Sequence, residues 1–250
     1  SVDIAGARGA GIVVSVVDDG IDALHADLAK NVNTAFDYDY FDDDFAPYHV
    51  VGNDLGHGTS VAGLIAARGN NRHGDMYVGA HGVAPEATLL GLRLVGGEFD
   101  DEQSARALLH LIPDAKGFKD KVSDGFIDQV HISNNSWGGR GYSKALKEVI
   151  EKAGDKGHLF CAAARNSGTN NDQRPHYPSN YDLDNVISVA STTHNDTLSS
   201  FSCYGATTVD LGAPGSSIYS TVPGNSFNSP ARSLTAGGQL TVPLYQCGMI

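Results

Sequence analysis

Short apolar runs alternate along this chain with segments that have the periodicity of amphipathic helices. Six runs predict strands: Ile12–Val17, Thr88–Val95, Val130–Ser133, Leu159–Ala163, Val186–Ala190 and Val209–Ala213. Three segments predict helices: Thr59–Ala67, Glu102–Ile112 and Ser143–Ala153. Strands that are apolar on both faces must be covered on both faces. The pattern therefore predicts an α/β fold, a three-layer, doubly wound parallel sheet with helices on both faces.

Composition and charge exclude several classes of function. The chain has 250 residues, which suits one α/β domain, and a net charge of −12, which argues against nucleic acid as a partner. Its longest apolar run, Gly11–Val17, is too short to span a membrane. Neither a phosphate-binding P-loop nor a dinucleotide fingerprint occurs. Because the chain begins at Ser1 rather than Met, we expect a processed or trimmed chain. The negative charge is compatible with a secreted or extracytoplasmic protein, which is the location that we expect.

Two polar residues stand where a parallel sheet displays reactive groups. Asp18 directly follows the first apolar run, at the carboxyl end of a predicted strand. His57 lies between two glycines at the start of a predicted helix, in GHGTSVAG. Glycine on both sides of a histidine favours a close approach of other groups to its ring. A capping role for Asp18 and a turn role for His57 are the structural alternatives.

Several segments, in their order and spacing, resemble the subtilisin-like serine proteases, and most closely their kexin and furin branch with its bacterial relatives. They are VVSVVDDGID, GHGTSVAG, GVAPEATLLGLRL, NNSWGG, CAAARNSG, YPSNY, VISVAST and LGAPGSSIYSTVPGN. The resemblance covers about Gly11 to Asn225. It implies a peptidase domain over residues 1–225, an atypical tail over 226–250, and a fold that is truncated at its C-terminal end.

The resemblance implies a role for six residues. Asp18 would be the carboxylate that orients the general base His57, and Asn166 would donate to the oxyanion of the tetrahedral intermediate. Ser136, Trp137 and Gly138 would form the edge that pairs with a polypeptide substrate. Asn166 could instead cap a turn, and Trp137 could be a core aromatic residue.

The resemblance also implies calcium sites. Asp37, Asp42 and Asp44 match one site of the kexin and furin branch, and Asp27 with Asn71 matches another. Carboxylate and amide oxygens are the ligands that Ca²⁺ prefers. A solvated acidic loop is the alternative for Asp37–Phe45, which lacks the periodicity of a helix or strand.

Two features depart from the family pattern. The nucleophile motif, GTS followed by a small residue, alanine and proline, does not occur, and Ser233 in the tail is the nearest candidate. Arg165 stands where the family has glycine. Two hypotheses follow: a serine endopeptidase that has a pro-segment, inhibitor or chaperone as a further partner, or an inactive or truncated scaffold that binds calcium and peptide.

Overall fold

The computed structural model describes residues 7–45, 56–73, 76–94, 101–112 and 129–223. The chain divides into two compact units. The first unit contains Ser1–Leu94 and Tyr219–Val242, and the second contains Val95–Ile218 and Pro243–Ile250. Each unit carries its own set of parallel strands.

The first unit is organised around strand β1, Val13–Asp18, whose six residues are all buried. Its partner in the parallel ladder is β5, Thr88–Arg93, with Val13 opposite Thr88 and Asp18 opposite Arg93. The parallel strands of this unit follow the order β2-β5-β1, in which β2 is Tyr38–Asp39. The continuous apolar sequence of β1 is what a strand buried on both faces requires. The sequence predicts this strand at Ile12–Val17, and the observed strand is shifted by one residue at each end.

Strand β2 lies inside the acidic segment, where the sequence predicts only a loop. It comprises Tyr38–Asp39 and pairs in parallel with the end of β5. Its second residue is acidic but buried, because the guanidinium of Arg93 lies 2.6 Å from the carboxylate of Asp39. The prediction missed this strand because two residues are too few to show an apolar alternation.

Helix α1, His57–Ala66, and a short hairpin complete the described elements of the first unit. The hairpin pairs β3, Asn71–His73, with β4, Met76–Val78, in antiparallel register. The sequence predicts a helix that begins two residues later, at Thr59, and it does not predict the hairpin. The helix is rich in small residues, so most of its surface is buried.

The second unit contains four strands in the order β6-β7-β8-β9. All three pairings are parallel. The strands are β6, Ile132–Asn135; β7, Leu159–Ala163; β8, Val186–Thr192; and β9, Leu211–Pro214. Each overlaps a predicted strand. Strand β6 begins two residues later than predicted and ends in two asparagines. The second of them, Asn135, can be buried because its side-chain amide donates to Ser133 Oγ and to the carbonyl of Cys161.

Two helices belong to the same unit, α2, Asp101–Leu109, and α3, Lys144–Gly154. Ser143 caps α3 by accepting a hydrogen bond from the backbone N–H of Leu146 at 3.3 Å. Four apolar side chains at helical spacing are buried: Leu146, Val149, Ile150 and Ala153. Within the described ranges, no helix has the length and hydropathy of a membrane span.

Candidate active site

The end of β1 and the start of α1 bring Asp18 and His57 into direct contact. His57 Nδ1 lies 2.8 Å from both carboxylate oxygens of Asp18. An ionised carboxylate only accepts hydrogen bonds, so the proton of the neutral imidazole sits on Nδ1. Nε2 is then the basic nitrogen, available to take a proton from another group.

Burial and charge act in opposite directions on the His57 ring. Burial lowers the pKa of His57, but the charge and hydrogen bond of Asp18 raise it, and the net pKa lies above its ordinary value. The carboxylate of Asp18 is almost fully buried, so little solvent screens its attraction for the imidazolium. Asp18 therefore orients the ring and also increases its basicity.

The side chain of Asp19 is hydrogen-bonded to the backbone of His57 and of the residue after it. Its carboxylate accepts the N–H of His57 at 3.0 Å and the N–H of Gly58 at 2.7 Å. The residue at the N-cap, Gly56, offers no side-chain cap, so Asp19 satisfies the first amides of α1 from outside the helix. Burial, and then the charge of Asp18, raise the pKa of Asp19 despite these bonds. Sequence reasoning missed this residue, although its position in the DDG run was the available signal.

The two glycines beside His57 permit packing within the chain itself. A Cβ on Gly58 would overlap the carbonyl oxygen of Gly20, so only glycine lets the helix start lie against the turn after β1. Gly56 has a φ of 54°, in the left-handed region, and a Cβ there would overlap the ring of Pro223. Both glycines are thus explained by close contacts of their own backbone, with the Gly20 carbonyl at Gly58 and the Pro223 ring at Gly56, whereas close approach to the His57 ring stays a prediction.

Residues 219–223 fasten the first turn of α1. Thr221 Oγ1 donates to the carbonyl of Thr59 at 2.6 Å, and Ser60 Oγ donates to the carbonyl of Thr221 at 2.8 Å. Ser220 Oγ also donates to the carbonyl of Ser60. These bonds join segments about 160 positions apart in the sequence and fix the turn that carries His57.

Asn166 and the predicted substrate edge belong to the second unit. Asn166 is exposed and stands three residues after β7, and Ser136–Gly138 directly follow β6. Trp137 is buried and packs edge-on against Phe160, with ring centroids 6.5 Å apart. The indole thus lies in the core, as its structural alternative predicts, and the backbone of this edge is the part suited to pairing with a peptide.

The neighbouring segment of this unit is tied to the same edge. Gly139 and Tyr177 exchange two backbone hydrogen bonds of 2.8 Å, and the Tyr177–Pro178 peptide bond is cis. A Cβ on Gly138 would overlap the carbonyl oxygen of Tyr177. Glycine at position 138 is therefore required by this close approach.

The acidic segment does not assemble the predicted calcium ligands. Asp37 accepts the N–H of Gly91 at 2.6 Å, and burial raises its pKa to about 8, so it is largely uncharged at neutral pH. Asp42 pairs with Arg93 at 2.7 Å. Among the described residues, no three acidic, histidine or cysteine side chains are placed to hold a metal ion. Asp37, Asp42 and Asp44 are thus not grouped as the ligands of one metal site, and the cation beside Asp42 is Arg93.

Asp27 and Asn71 do come together. Asn71 Nδ2 lies 2.7 Å from one carboxylate oxygen of Asp27, and the N–H of Ala80 lies 3.3 Å from the other. The Asp27 carboxylate is buried without a lysine or arginine partner among the described residues, and burial raises its pKa. A buried carboxylate that lacks a countercharge, next to an amide, has donors that fit a Ca²⁺ ion.

Comparison with known proteins identifies the family to which the chain belongs. The model of the Subtilase family matches residues 9–242. The chain belongs to the subtilase family of serine endopeptidases. This subtilase is 36% identical over 223 residues to thermitase of Thermoactinomyces vulgaris, an alignment that covers 89% of this chain and 70% of thermitase. It is 31% identical over 255 residues to subtilisin-like protease 2 of Plasmodium falciparum, with 98% of this chain but only 17% of that protein covered.

A solved structure supports the fold as well. A cold-adapted subtilisin-like serine proteinase aligns with a TM-score of 0.67 at 28% identity, covering 87% of this chain and 67% of that one. The predicted family and subtilisin-like α/β fold are thus confirmed. A specific relation of this subtilase to the kexin and furin branch stays a prediction. Ser233 lies outside the described residues.

Proposed function

We propose that this chain is the peptidase domain of a serine endopeptidase in which His57 is the general base and Asp18 orients it. The observation that carries the proposal is the 2.8 Å contact between His57 Nδ1 and the Asp18 carboxylate. That contact leaves Nε2 free of a proton, which is the state a general base needs. The family of this chain supports the same reaction.

The reaction begins when a serine hydroxyl attacks the carbonyl carbon of the substrate and gives its proton to His57 Nε2. Asp18 stabilises the imidazolium that forms. The side-chain amide of Asn166 donates to the oxyanion. The C–N bond then breaks, His57 returns the proton to the leaving amine, and a water molecule releases the acyl group by the reverse sequence. The nucleophile we propose is Ser233, the nearest candidate in the tail.

A fluorophosphonate probe tests this proposal, because it labels a serine only where a general base activates it. We expect labelling of the wild-type chain, loss of labelling in His57→Ala, and unchanged labelling in the control Asp182→Asn, whose side chain is exposed. Peptide mapping identifies the serine. Labelling that persists in His57→Ala, or maps far from the tail, contradicts the assignment.

One sequence observation favours a second candidate function, that of an inactive scaffold. The family's nucleophile motif is absent after Asn225, and Ser233, the nearest candidate in the tail, stands in a different context. Such a scaffold would not react with the fluorophosphonate probe, although it would still bind peptide and calcium. A folded wild-type chain that does not react with the probe would therefore replace the first proposal with this one.

Calcium binding at Asp27 and Asn71 belongs to the same proposal. The ion would stabilise the fold by supplying a positive charge to the buried carboxylate of Asp27. Asn71 would contribute its amide oxygen after its side-chain amide is rotated. Calcium should raise the melting temperature of the wild-type chain but not of Asp27→Asn, while Asp42→Asn should keep the response. An equal response in wild type and Asp27→Asn would exclude this site.

We also propose the domain limits and the setting of this peptidase. Residues 1–225 form the peptidase domain and 226–250 an atypical tail, although the family match extends to residue 242. The negative net charge is compatible with an extracytoplasmic location. A polypeptide is the substrate, and a pro-segment, inhibitor or chaperone is the further partner. Limited proteolysis should release a stable fragment that ends near Asn225.

A further inference from the structure

Three segments of the second unit meet beyond the carboxyl ends of β6 and β7, where parallel sheets bind ligands. Gly138 follows β6, Arg165 follows β7, and His176 lies in the segment that pairs with Gly139. A Cβ on Gly138 would lie 2.6 Å from Cε1 of His176. The charge of Arg165 acts on the His176 ring. These residues therefore line one edge of the sheet.

Arg165 is unusual in both its backbone and its charge. Its φ is 94°, in the region that favours glycine, and its carbonyl accepts the N–H of Cys203 at 2.8 Å. Its side chain is half-buried and forms no ion pair with any acidic side chain of the described residues. A strained backbone has a cost in stability, which a ligand-binding role would explain where it presents a cation without an acidic partner among the described residues.

His176 next to it adds no charge. Ser179 Oγ donates to the carbonyl of His176 at 3.0 Å and lies 3.2 Å from Nδ1, so Nδ1 carries the ring proton. The ring is buried, and burial together with the charge of Arg165 lowers its pKa to about 4. Arg165 is thus the cation of this group of residues at neutral pH.

We propose that Arg165 selects peptides with an acidic side chain on the residue whose carbonyl is attacked. The inference rests on the proposed function, because Asn166, the next residue in the chain, is the donor proposed for that carbonyl's oxyanion. The side chain of that same substrate residue is the one that we assign to Arg165. A carboxylate there would form the ion pair that the described residues do not supply, with two parallel hydrogen bonds available from the guanidinium.

Matched substrates test this inference. Blocked peptide anilides that differ only in a final Glu, Gln, Ala, Phe or Lys are compared by kcat/KM at 0.15 M salt, where remote charges are largely screened. We expect the Glu substrate to exceed the Gln substrate about tenfold, as one charge-assisted hydrogen bond provides. Arg165→Gly should abolish this ratio, Arg165→Lys should keep part of it, and the control Arg174→Ala, an exposed arginine, should keep it all.

Binding separates a failure of this inference from a failure of the proposed function. Trp137 is the single tryptophan of the chain and adjoins Gly138, so its fluorescence reports peptide amides that end in Glu or Gln. If no substrate is cleaved, tighter binding of the Glu peptide that Arg165→Gly loses still supports the inference. Equal binding or cleavage of the two peptides, or a preference that persists in Arg165→Gly, overturns it. A preference for Ala also overturns it, because it shows that Arg165 only fills the space.

Discussion

The carboxylate of Asp18 lies 2.8 Å from His57 Nδ1, and the adjacent carboxylate of Asp19 accepts the backbone N–H of the same histidine at 3.0 Å. One dipeptide at the end of β1 thus fixes both the ring and the backbone of His57. The two carboxylates differ in what they hold, so substitutions at each should affect different properties.

Asp18→Asn should reduce kcat by about 10³- to 10⁴-fold with little change in fold. An amide can donate to Nδ1, which favours the tautomer with its proton on Nε2, and that nitrogen then cannot accept a proton. Steady-state hydrolysis of a peptide substrate measures the effect, with Asp182→Asn as the exposed control. A loss below tenfold would show that Asp18 does not orient the base.

The pH dependence of kcat/KM should show the effect of the charge of Asp18 on the pKa of His57. His57 must be unprotonated to act as base, so activity should be lost as the pH falls through its pKa, which lies above the ordinary value of 6.5. In Asp18→Asn the opposing effect of burial remains, while the attraction of Asp18 is gone and only the weaker one of Asp19 is left. The midpoint measured on the residual activity should therefore move to lower pH. A midpoint that stays in place would assign the acidic limb to another group.

Asp19→Ala should lower both stability and kcat, because two amides at the start of α1 lose their acceptor. We expect a loss of about 1–2 kcal/mol in the free energy of unfolding, as for other lost helix caps, measured by urea denaturation. Asp19→Asn should be milder, since it keeps one acceptor oxygen and removes the repulsion from Asp18. If the alanine variant were as stable and active as wild type, the role of Asp19 as a cap would be wrong.

Thr221→Val should destabilise the first turn of α1. The substitution keeps the shape of the buried side chain but removes the donor to the Thr59 carbonyl. A loss of about 1 kcal/mol is expected for one such hydrogen bond. Thr197→Val, at an exposed threonine, is the matched control. Equal melting temperatures of the two variants would contradict the proposed fastening of the turn.

The sequence was sufficient to predict the positions of Asp18 and His57, because each residue stands at the end of a strongly patterned element. A strand with six buried residues and a small-residue helix are recognisable locally. The topology of a parallel sheet then brings a strand end and a helix start to one edge. The local patterns placed each residue at the end of an element, but that the two form a pair was predicted from the resemblance to the subtilisin-like proteases.

The acidic segment could not be interpreted in the same way. Asp42 pairs with Arg93, which is 51 positions away, and nothing in the local sequence indicates this partner. A cluster of aspartates predicts a cation but does not say whether the cation is a metal ion or a side chain. The fastening of α1 by Thr221 escaped prediction for the same reason, since its partner Thr59 is 162 positions away.

Asp37 should make the protein less stable as the pH rises. Burial raises its pKa in the folded state to about 8, whereas an unfolded aspartate titrates near about 3.9. Between these values the folded state keeps a proton that the unfolded state has lost. The stabilisation is therefore complete below pH ~4 and is lost as the pH rises through the folded pKa, with a slope of about 1.4 kcal/mol per pH unit.

Asp37→Asn should remove this slope because the amide cannot ionise but still accepts the N–H of Gly91. The free energies of unfolding in urea at pH 5, 6, 7 and 8, with EDTA present, measure the difference between the two proteins. Parallel curves for wild type and variant would show that Asp37 is ionised in the folded state, and would reopen the acidic segment as a site for calcium.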